Sequence, residues 1–279
     1  MTSLPSAAFA LAHREFIRFV RQKQRVFGAI AQPVLFWLFL GAGFGGSFRP
    51  TGMENVSYLE YFFPGAMLMM LLFASVFSSI TIIEDRDAGF LQGVLVAPVS
   101  RLAIVVGKVL GATAIAMVQT LIFTLAIPFL GLHLGASGFA AVLAALVLTS
   151  IGFSGLGFLL AWEMKSTAAF HGVMMVFLMP LWMLSGALFP IGSAPAALRA
   201  VMLVNPVSHA LVLIRAPFYA PAASLLSDGA YLRSLAVTLG WAGLCMGLSL
   251  LRVERREQGV AAAPTLLGAA HPAPPPVAN

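Results

Sequence analysis

Long apolar runs constrain the fold of this chain more than any other feature. Residues 102–131, for example, contain a single charged residue, Lys108. A membrane-spanning helix needs about 20 consecutive, mostly apolar residues, so a run of this length can cross a bilayer. The chain of 279 residues is 60% hydrophobic and only 9% charged, whereas soluble domains carry about 25% charged residues. We therefore expect an all-α integral membrane protein.

Six membrane spans are predicted from the apolar runs and the polar segments that separate them. They cover residues 26–44, 61–83, 102–131, 139–162, 168–189 and 232–251. One membrane domain, residues 1–258, is expected to contain all of them. Residues 259–279 are rich in Ala and Pro and offer little to pack, so this tail is predicted to be disordered.

The segment 8–25 is amphipathic and basic rather than apolar throughout. At about 100° per residue, its phenylalanines gather on one side of a helix and its arginines on the other. These arginines are Arg14, Arg18, Arg21 and Arg25. The pattern is typical of a helix in the membrane interface, with basic residues facing anionic lipid headgroups. A solvated basic helix is the alternative.

The distribution of Lys and Arg predicts the orientation of the spans. If both termini are cytoplasmic, only four of the 16 Lys and Arg residues fall on the outer side. Because cytoplasmic loops carry an excess of these residues, both termini are expected to be cytoplasmic. The net charge of +6 then reflects membrane topology, and no nucleic-acid partner is expected.

Residues 190–231 are predicted to contain two short helices at the outer face. Asn205 is a favourable N-cap and Pro206 suits the first helical position. These residues divide the segment into helices over about 196–204 and 206–215, each too short to cross the bilayer alone. A seventh span would place the basic residues after 251 outside, against the charge distribution. We therefore predict a re-entrant or interfacial helical pair.

A dense group of charges opens the predicted loop 84–101 between the second and third spans. Its acidic residues are expected near the start of a helix, where they suit the helix dipole. Four apolar residues follow with the spacing of one helical face, Pro98 ends the element, and Ser100 can cap the next helix. The loop could seat in a groove of a soluble partner or be an ordinary solvated loop. The acidic and apolar residues are Glu84, Asp85, Asp87, Phe90, Leu91, Val94 and Leu95.

This loop resembles that of type-2 ABC exporter permeases, whose pattern runs roughly Glu-x-x-x-Gly-x-Leu-x-x-Leu-x-x-x-Pro-x-x-Arg. The matching positions are Asp85, Gly89, Leu91, Pro98 and Arg101. The stretch NPVSHALVLIRA resembles a second element of that family through Asn205, Pro206 and Arg215. The basic N-terminal helix, the six spans and the outer helical pair also match. The resemblance covers about residues 8–256.

The resemblance implies a permease subunit in the bacterial inner membrane that pairs with a second copy as a homodimer. Separate ABC ATPase subunits would bind ATP and Mg²⁺ and contact the loop 84–101 and the N-terminal helix. This chain itself would bind no cofactor, and it contains no Gly-x-x-x-x-Gly-Lys-Ser/Thr loop. Hydrophobic or amphiphilic cargo is expected, whether drug-like, lipid-linked or polysaccharide. The ATPase-coupling residues would be Glu84, Asp85, Arg86, Asp87, Gly89, Leu91, Pro98 and Arg101.

Two other classes of function are possible. An ion-coupled secondary transporter would need an acidic residue inside the bundle, and none lies near the middle of a predicted span. A membrane enzyme would need a cluster of catalytic or metal-binding residues. The five histidines are scattered along the sequence, so no metal site is expected.

Overall fold

The structure, a computed structural model, describes residues 4–45, 56–97, 99–132 and 134–261, with side chains to residue 254. The described residues contain helices and turns but no strand. Six helices are long and apolar enough to cross a membrane, which confirms the predicted number of spans. The N-terminal helix α1 is Leu4–Arg21. The remaining helices are α2 Lys23–Phe44, α3 Tyr58–Phe77, α4 Ile80–Asp87, α5 Phe90–Val96, α6 Arg101–Thr124, α7 Ala136–Glu163, α8 Thr167–Trp182, α9 Ala196–Val204, α10 Pro206–Tyr219, α11 Ala222–Leu225 and α12 Gly229–Ala261.

Several boundaries differ from those expected from the sequence. The helix predicted over 8–25 ends at Arg21, because Gln22 has non-helical backbone angles and the next residues begin α2. The run 102–131 is α-helical only to Thr124, and a 3-10 turn follows over Ile127–Leu130. Pro128 has no N–H to donate to the carbonyl of Thr124, so the helix cannot continue with regular hydrogen bonds. Residues 259–261 are helical, and the rest of the predicted disordered tail lies outside the described residues.

Helix α3 occupies the centre of the bundle, and α2, α6, α7, α8 and α10 pack around it. Most of its side chains are buried, including Phe62 and Phe63. Indole N–H groups fix two neighbouring helices against it. Trp37 of α2 donates to the carbonyl of Leu59 at 3.0 Å, and Trp182 of α8 donates to the carbonyl of Gly65 at 2.8 Å.

The helical pair predicted over 190–231 is present and bent by 80° between α9 and α10. The Asn205 side chain accepts a hydrogen bond from the Val207 N–H at 3.0 Å, which confirms the predicted cap. Its amide also donates to the carbonyl of Leu181 at 2.6 Å. Helix α10 extends to Tyr219, so Arg215 lies inside the helix rather than at its end.

The two ends of the bundle differ in chemistry. The charged end holds Glu15, Asp85 and Lys108, which are buried together. The opposite end holds Tyr61, whose ring lies under the Arg215 guanidinium at 4.3 Å. Because α3 and α4 together run from Tyr58 to Asp87, a single helical path connects the two ends.

Candidate functional site

The acidic residues of the segment 84–101 lie at the end of a helix and not at its start. Helix α3 stops at a turn formed by Ser78 and Ser79, and α4 carries the chain from Ile80 to Asp87. Glu84 and Asp85 therefore lie near the C-terminus of α4, where the helix dipole disfavours negative charge. The prediction that these acids favour a helix start was wrong. Neighbouring cations offset this unfavourable interaction between the two carboxylates and the helix dipole.

Six charged side chains from three helices form what we call the charge cluster. Helix α1 contributes Arg14, Glu15 and Arg18, α4 contributes Glu84 and Asp85, and α6 contributes Lys108. Three carboxylates meet three cations, so the cluster carries no net formal charge. Asp85 and Glu15 are 1% and 4% exposed and Lys108 is 6% exposed. Charges this deeply buried persist only when they are paired and hydrogen-bonded.

Asp85 is the centre of the charge cluster because its two oxygens together accept from α1 and α6. Oδ1 accepts from Arg14 Nη2 at 2.9 Å and from Arg18 Nη1 at 3.0 Å. Oδ2 accepts from Arg14 Nη1 at 3.0 Å and from the Lys108 ammonium. Arg14 thus binds the carboxylate with both of its terminal nitrogens, the geometry that gives the strongest charge-assisted pairs.

The remaining contacts connect the same three helices. Lys108 Nζ donates to Glu15 Oε1 at 2.7 Å, and Arg18 Nη2 donates to Glu84 Oε2 at 2.6 Å. The hydrogen bond to Asp85 raises the pKa of the Arg14 guanidinium, against the lowering effect of its burial. Arg14 is therefore a permanent cation in the charge cluster.

Small residues allow α1 to approach α6 closely enough for these contacts. A Cβ on Gly107 would lie 2.8 Å from the Ala8 carbonyl oxygen, and one on Gly111 would lie 2.9 Å from Glu15 Cβ. The face of α1 that packs against α6 carries Leu11 and Glu15 as well as Phe19. The arginine side of α1 therefore faces protein over part of its length.

Comparison with known proteins gives the family of the chain. Residues 6–219 match the profile of the family described as ABC-2 type transporter. The chain belongs to this family. The putative transport permease ycf38 of Cyanophora paradoxa is 31% identical over 212 residues, which are 74% of this chain and 72% of that protein.

Two further relatives of this ABC-2 protein have names that refer to other processes. Nodulation protein J of Rhizobium leguminosarum bv. viciae is 27% identical over 196 residues, or 68% of this chain and 73% of that protein. The daunorubicin resistance ABC transporter permease protein DrrB1 of Streptomyces coeruleorubidus is 26% identical over 221 residues, or 75% of this chain and 74% of that protein. The family and the spans identify a multi-pass membrane protein.

The other predicted coupling residues surround the charge cluster in the ABC-2 protein. Gly89 has a φ of 76°, a left-handed conformation that glycine adopts without strain, and it turns the chain from α4 into α5. The Arg14 guanidinium lies 3.7 Å from the centre of the Phe90 ring, and Leu91 is buried. Asp87 is exposed. Pro98 lies outside the described residues.

Arg86 and Arg101 bind backbone carbonyls at helix ends. Arg86 donates to the carbonyls of Trp162 at 2.6 Å and Met164 at 2.7 Å, so it fixes α4 to the C-terminal end of α7. Arg101 donates to the carbonyl of Leu95 at 3.1 Å. Ser100 caps α6 by accepting from the Ala103 N–H at 3.2 Å, as predicted.

The four arginines of the predicted interfacial helix have different surroundings. Arg14 and Arg18 pair with acidic residues of α4, so the prediction that they face lipid headgroups was wrong for these two. Arg21 is exposed, whereas Arg25 belongs to α2 and donates to the carbonyl of Phe77 at 3.2 Å. The exposed apolar residues of α1 include Phe9 and Val20.

Sequence reasoning missed Glu15 and Lys108. Lys108 was noted only as the single charged residue of the apolar run 102–131. A lone lysine in such a run needs a buried partner, and this was the available signal. Across the described residues, no group of three or more His, Cys, Asp or Glu side chains converges as a metal site would require.

Proposed function

We propose that this ABC-2 permease is the membrane subunit of an ATP-driven exporter and that its charged end faces the cytoplasm. A separate ATPase would bind there and supply the energy for transport. The observation that carries the proposal is the charge cluster, which joins α1, α4 and α6 through a single buried carboxylate, Asp85. The excess of Lys and Arg at this end supports the orientation.

The ATPase would contact the surface formed by α5 and the turn before it. Asp87, Gln92 and Gly93 are exposed there, and Val96 is 85% exposed. A short helix with an exposed apolar residue and nearby charge suits a groove on a soluble partner. The exposed side of α1, which carries His13 and Arg21, adds a basic surface beside it.

Force applied to α5 has a direct route into the membrane helices. The stacking of Phe90 on Arg14 connects α5 to the charge cluster. Asp85 then connects α4 to α6 through Lys108, while Arg86 connects α4 to α7. Because ion pairs join α1, α4 and α6 and charged hydrogen bonds join α4 to α7, α1 and α4 would move as one body with the charged ends of α6 and α7.

A second copy of the chain would complete the transporter as a homodimer. Helices α2 and α8 have large exposed apolar residues, including Phe27, Phe39, Val176 and Phe177. These faces are available for the second copy and for lipid. The cargo would be hydrophobic or amphiphilic, moved out of the cytoplasm or between leaflets.

Ion-coupled transport is the alternative, and the charge cluster weighs against it. That mechanism needs an acidic residue that can gain and lose a proton within the bundle. Asp85 and Glu15 are the buried acids of the described residues, and both are paired with cations. Asp85 accepts hydrogen bonds from three cations, which favour its charged form over the neutral acid that a proton relay needs.

The test is to express the chain with candidate ABC ATPases and ask whether a complex co-purifies and hydrolyses ATP. Asp85→Asn should retain complex formation and uncouple ATP hydrolysis from cargo transport. Glu163→Gln is the matched control, because Glu163 forms an exposed pair with Arg252 at 3.2 Å and should leave coupling unchanged. Full cargo transport by the Asp85→Asn variant would contradict the proposal. Transport driven by an ion gradient without ATP would contradict it as well.

A further inference from the structure

A cavity lies against α3 between α2 and α8, and we call it the wedge cavity. Phe36 of α2 meets Trp182 of α8 with ring centres 5.7 Å apart. Closer to the charged end, the two helices separate and enclose about 150 Å³. Its lining includes Arg25, Gln32, Met70, Phe77, Gln119 and His171. The wedge cavity does not include any residue of the charge cluster.

One end of the wedge cavity carries a cation without a counter-ion. Arg25 donates to the Phe77 carbonyl at 3.2 Å and to Gln22 Oε1 at 3.3 Å. Among the described acidic residues, none forms an ion pair with it. Neutral acceptors compensate a partly buried guanidinium only in part, so an anion beside Arg25 would be stabilised.

The other end carries a buried polar group without a partner. Gln119 is 2% exposed, and its Oε1 has no hydrogen-bond donor. Buried carbonyl oxygens are almost always paired, so this oxygen is suited to a donor supplied by a ligand. Arg25 is fixed beside Phe77 by its hydrogen bond to the Phe77 carbonyl, and Gln119 lines the same cavity.

Apolar side chains form the wall between the two polar ends. Met70, Phe73 and Met175 lie along it, and His171 stacks on Phe77 with ring centres 4.5 Å apart. Methionine walls adapt to ligands of different shape. A cavity of about 150 Å³ holds a single ring or a chain of about eight carbons, and it is too small for a polycyclic molecule.

We propose that the wedge cavity binds a single-chain amphiphile with an acidic head group. Its carboxylate pairs with Arg25, its chain lies along the methionine wall, and a hydroxyl further along the chain donates to Gln119. This inference rests on the proposed function, in which the charged end is cytoplasmic and the cargo is hydrophobic or amphiphilic, and it makes the wedge cavity an entry site for that cargo. It adds to that function the charge of the cargo and the residue that recognises it.

The test uses the full chain purified into phosphatidylcholine nanodiscs without any ATPase. An octanoate probe with a diazirine in its chain is photo-crosslinked, and the labelled residues are identified by mass spectrometry. Labelling is expected on Met70, Phe73 or Met175. Octanoate should displace the probe about tenfold better than octylamine, which has the same chain and the opposite charge. Equal displacement by acid and amine would overturn the proposal.

Variants separate recognition of the acid from a general effect on folding. Arg25→Gln should weaken probe binding about tenfold, whereas Arg25→Lys keeps the charge and should retain most of it. Arg21→Gln removes a nearby exposed arginine outside the wedge cavity and should have no effect. Unchanged binding by Arg25→Gln would overturn the assignment of Arg25.

Gln119→Leu provides a second test that does not depend on Arg25. Removing an unpaired buried carbonyl should leave thermal stability unchanged or higher. The same change should abolish the preference of the protein for ω-hydroxyoctanoate over octanoate. A retained preference would exclude Gln119 as the partner of the hydroxyl and overturn that part of the proposal.

The experiment also distinguishes binding of cargo from binding of a bilayer lipid. Phosphatidylglycerol added to the nanodisc should not displace the probe, because its two chains exceed the volume of the cavity. Displacement by phosphatidylglycerol would assign the site to a bilayer lipid and overturn the cargo assignment. Because binding is measured without ATPase, absence of probe binding would leave the result of the coupling test at Asp85 unaffected. A negative coupling test would likewise leave the result of the probe-binding experiment unaffected.

Discussion

Asp85 and Lys108 are 23 residues apart in the sequence, and their side chains form a buried ion pair that joins α4 to α6. Arg14, 71 residues from Asp85, binds the same carboxylate from α1. The loop between the second and third spans is therefore fixed at its start to two other helices. This arrangement makes the loop a stiff connection between the charged end and the bundle.

Removing the central carboxylate should destabilise the protein strongly. Asp85→Ala removes the carboxylate that Arg14, Arg18 and Lys108 share and leaves the buried Lys108 with Glu15 alone, and breaking a buried pair in this way costs about 3–5 kcal/mol. The free energy of unfolding in detergent should fall by that order. Glu163→Ala, which breaks an exposed pair, should cost about 0–1 kcal/mol. Similar losses for the two variants would show that the charge cluster does not stabilise the bundle.

Glu15 and Lys108 should be energetically coupled. Lys108 Nζ lies 2.7 Å from Glu15 Oε1, and both are almost fully buried. Glu15→Gln and Lys108→Met should each destabilise the protein, and the double variant should lose less than the sum by about 0.5–3 kcal/mol. The measurement is a double-mutant cycle on thermal or denaturant unfolding. Additive losses would mean that the two groups do not interact in the protein.

Gly107→Ala should separate α1 from α6. The added methyl would lie 2.8 Å from both the Ala8 carbonyl oxygen and Leu11 Cβ, and overpacking of this kind costs about 1–3 kcal/mol. Gly43→Ala in α2 is the control, because no atom lies within 4 Å of its added methyl. Unfolding in detergent should show a loss for Gly107→Ala and none for Gly43→Ala. Tolerance of both changes would contradict the close approach of the two helices.

Asn205 should stabilise the bend between α9 and α10 through both ends of its amide. Asn205→Ala loses the cap on α10 and the hydrogen bond to the Leu181 carbonyl, which together should cost about 2 kcal/mol. Asn205→Ser keeps a capping oxygen and should recover part of the loss. Thermal unfolding of the three proteins gives the comparison. An Asn205→Ser variant no more stable than Asn205→Ala would rule out the capping contribution.

Cysteine labelling should decide the orientation of the bundle. Cys245 is the only native cysteine and is 2% exposed, so it should not react with a maleimide. A membrane-impermeant maleimide should label Gln92→Cys only in inside-out vesicles and Phe129→Cys in intact cells. Phe129 is 89% exposed beyond the far end of α6. Labelling of Gln92→Cys from outside would reverse the orientation and remove the basis for an ATPase at α5.

The sequence predicted the features that depend on short-range chemistry. Six spans follow from apolar content within windows of about 20 residues. The break at Asn205 and the start of α6 at Ser100 follow from capping by the residue itself. Each of these features is determined by residues that are neighbours in the chain, and the structure confirms them.

The candidate site was predicted less well, because its contacts join residues far apart in the sequence. Hydrophobic periodicity assigned Arg14 and Arg18 to a side facing lipid headgroups, but their partners in α4 lie 66 to 71 residues away. The presence of Leu11 and Glu15 on the side of the arginines indicated that protein covers that side. Lys108 likewise gave no local sign of which carboxylate would neutralise it.

The sequence by itself determined that this chain crosses the membrane in helices, since the transfer of apolar side chains into lipid is set by composition. Only the tertiary structure decided that Asp85 neutralises cations from two other helices. It also decided that Arg25 and Gln119 border one cavity. An ion pair forms only where two charged groups lie close together in space, and the packing of the helices determines which groups do.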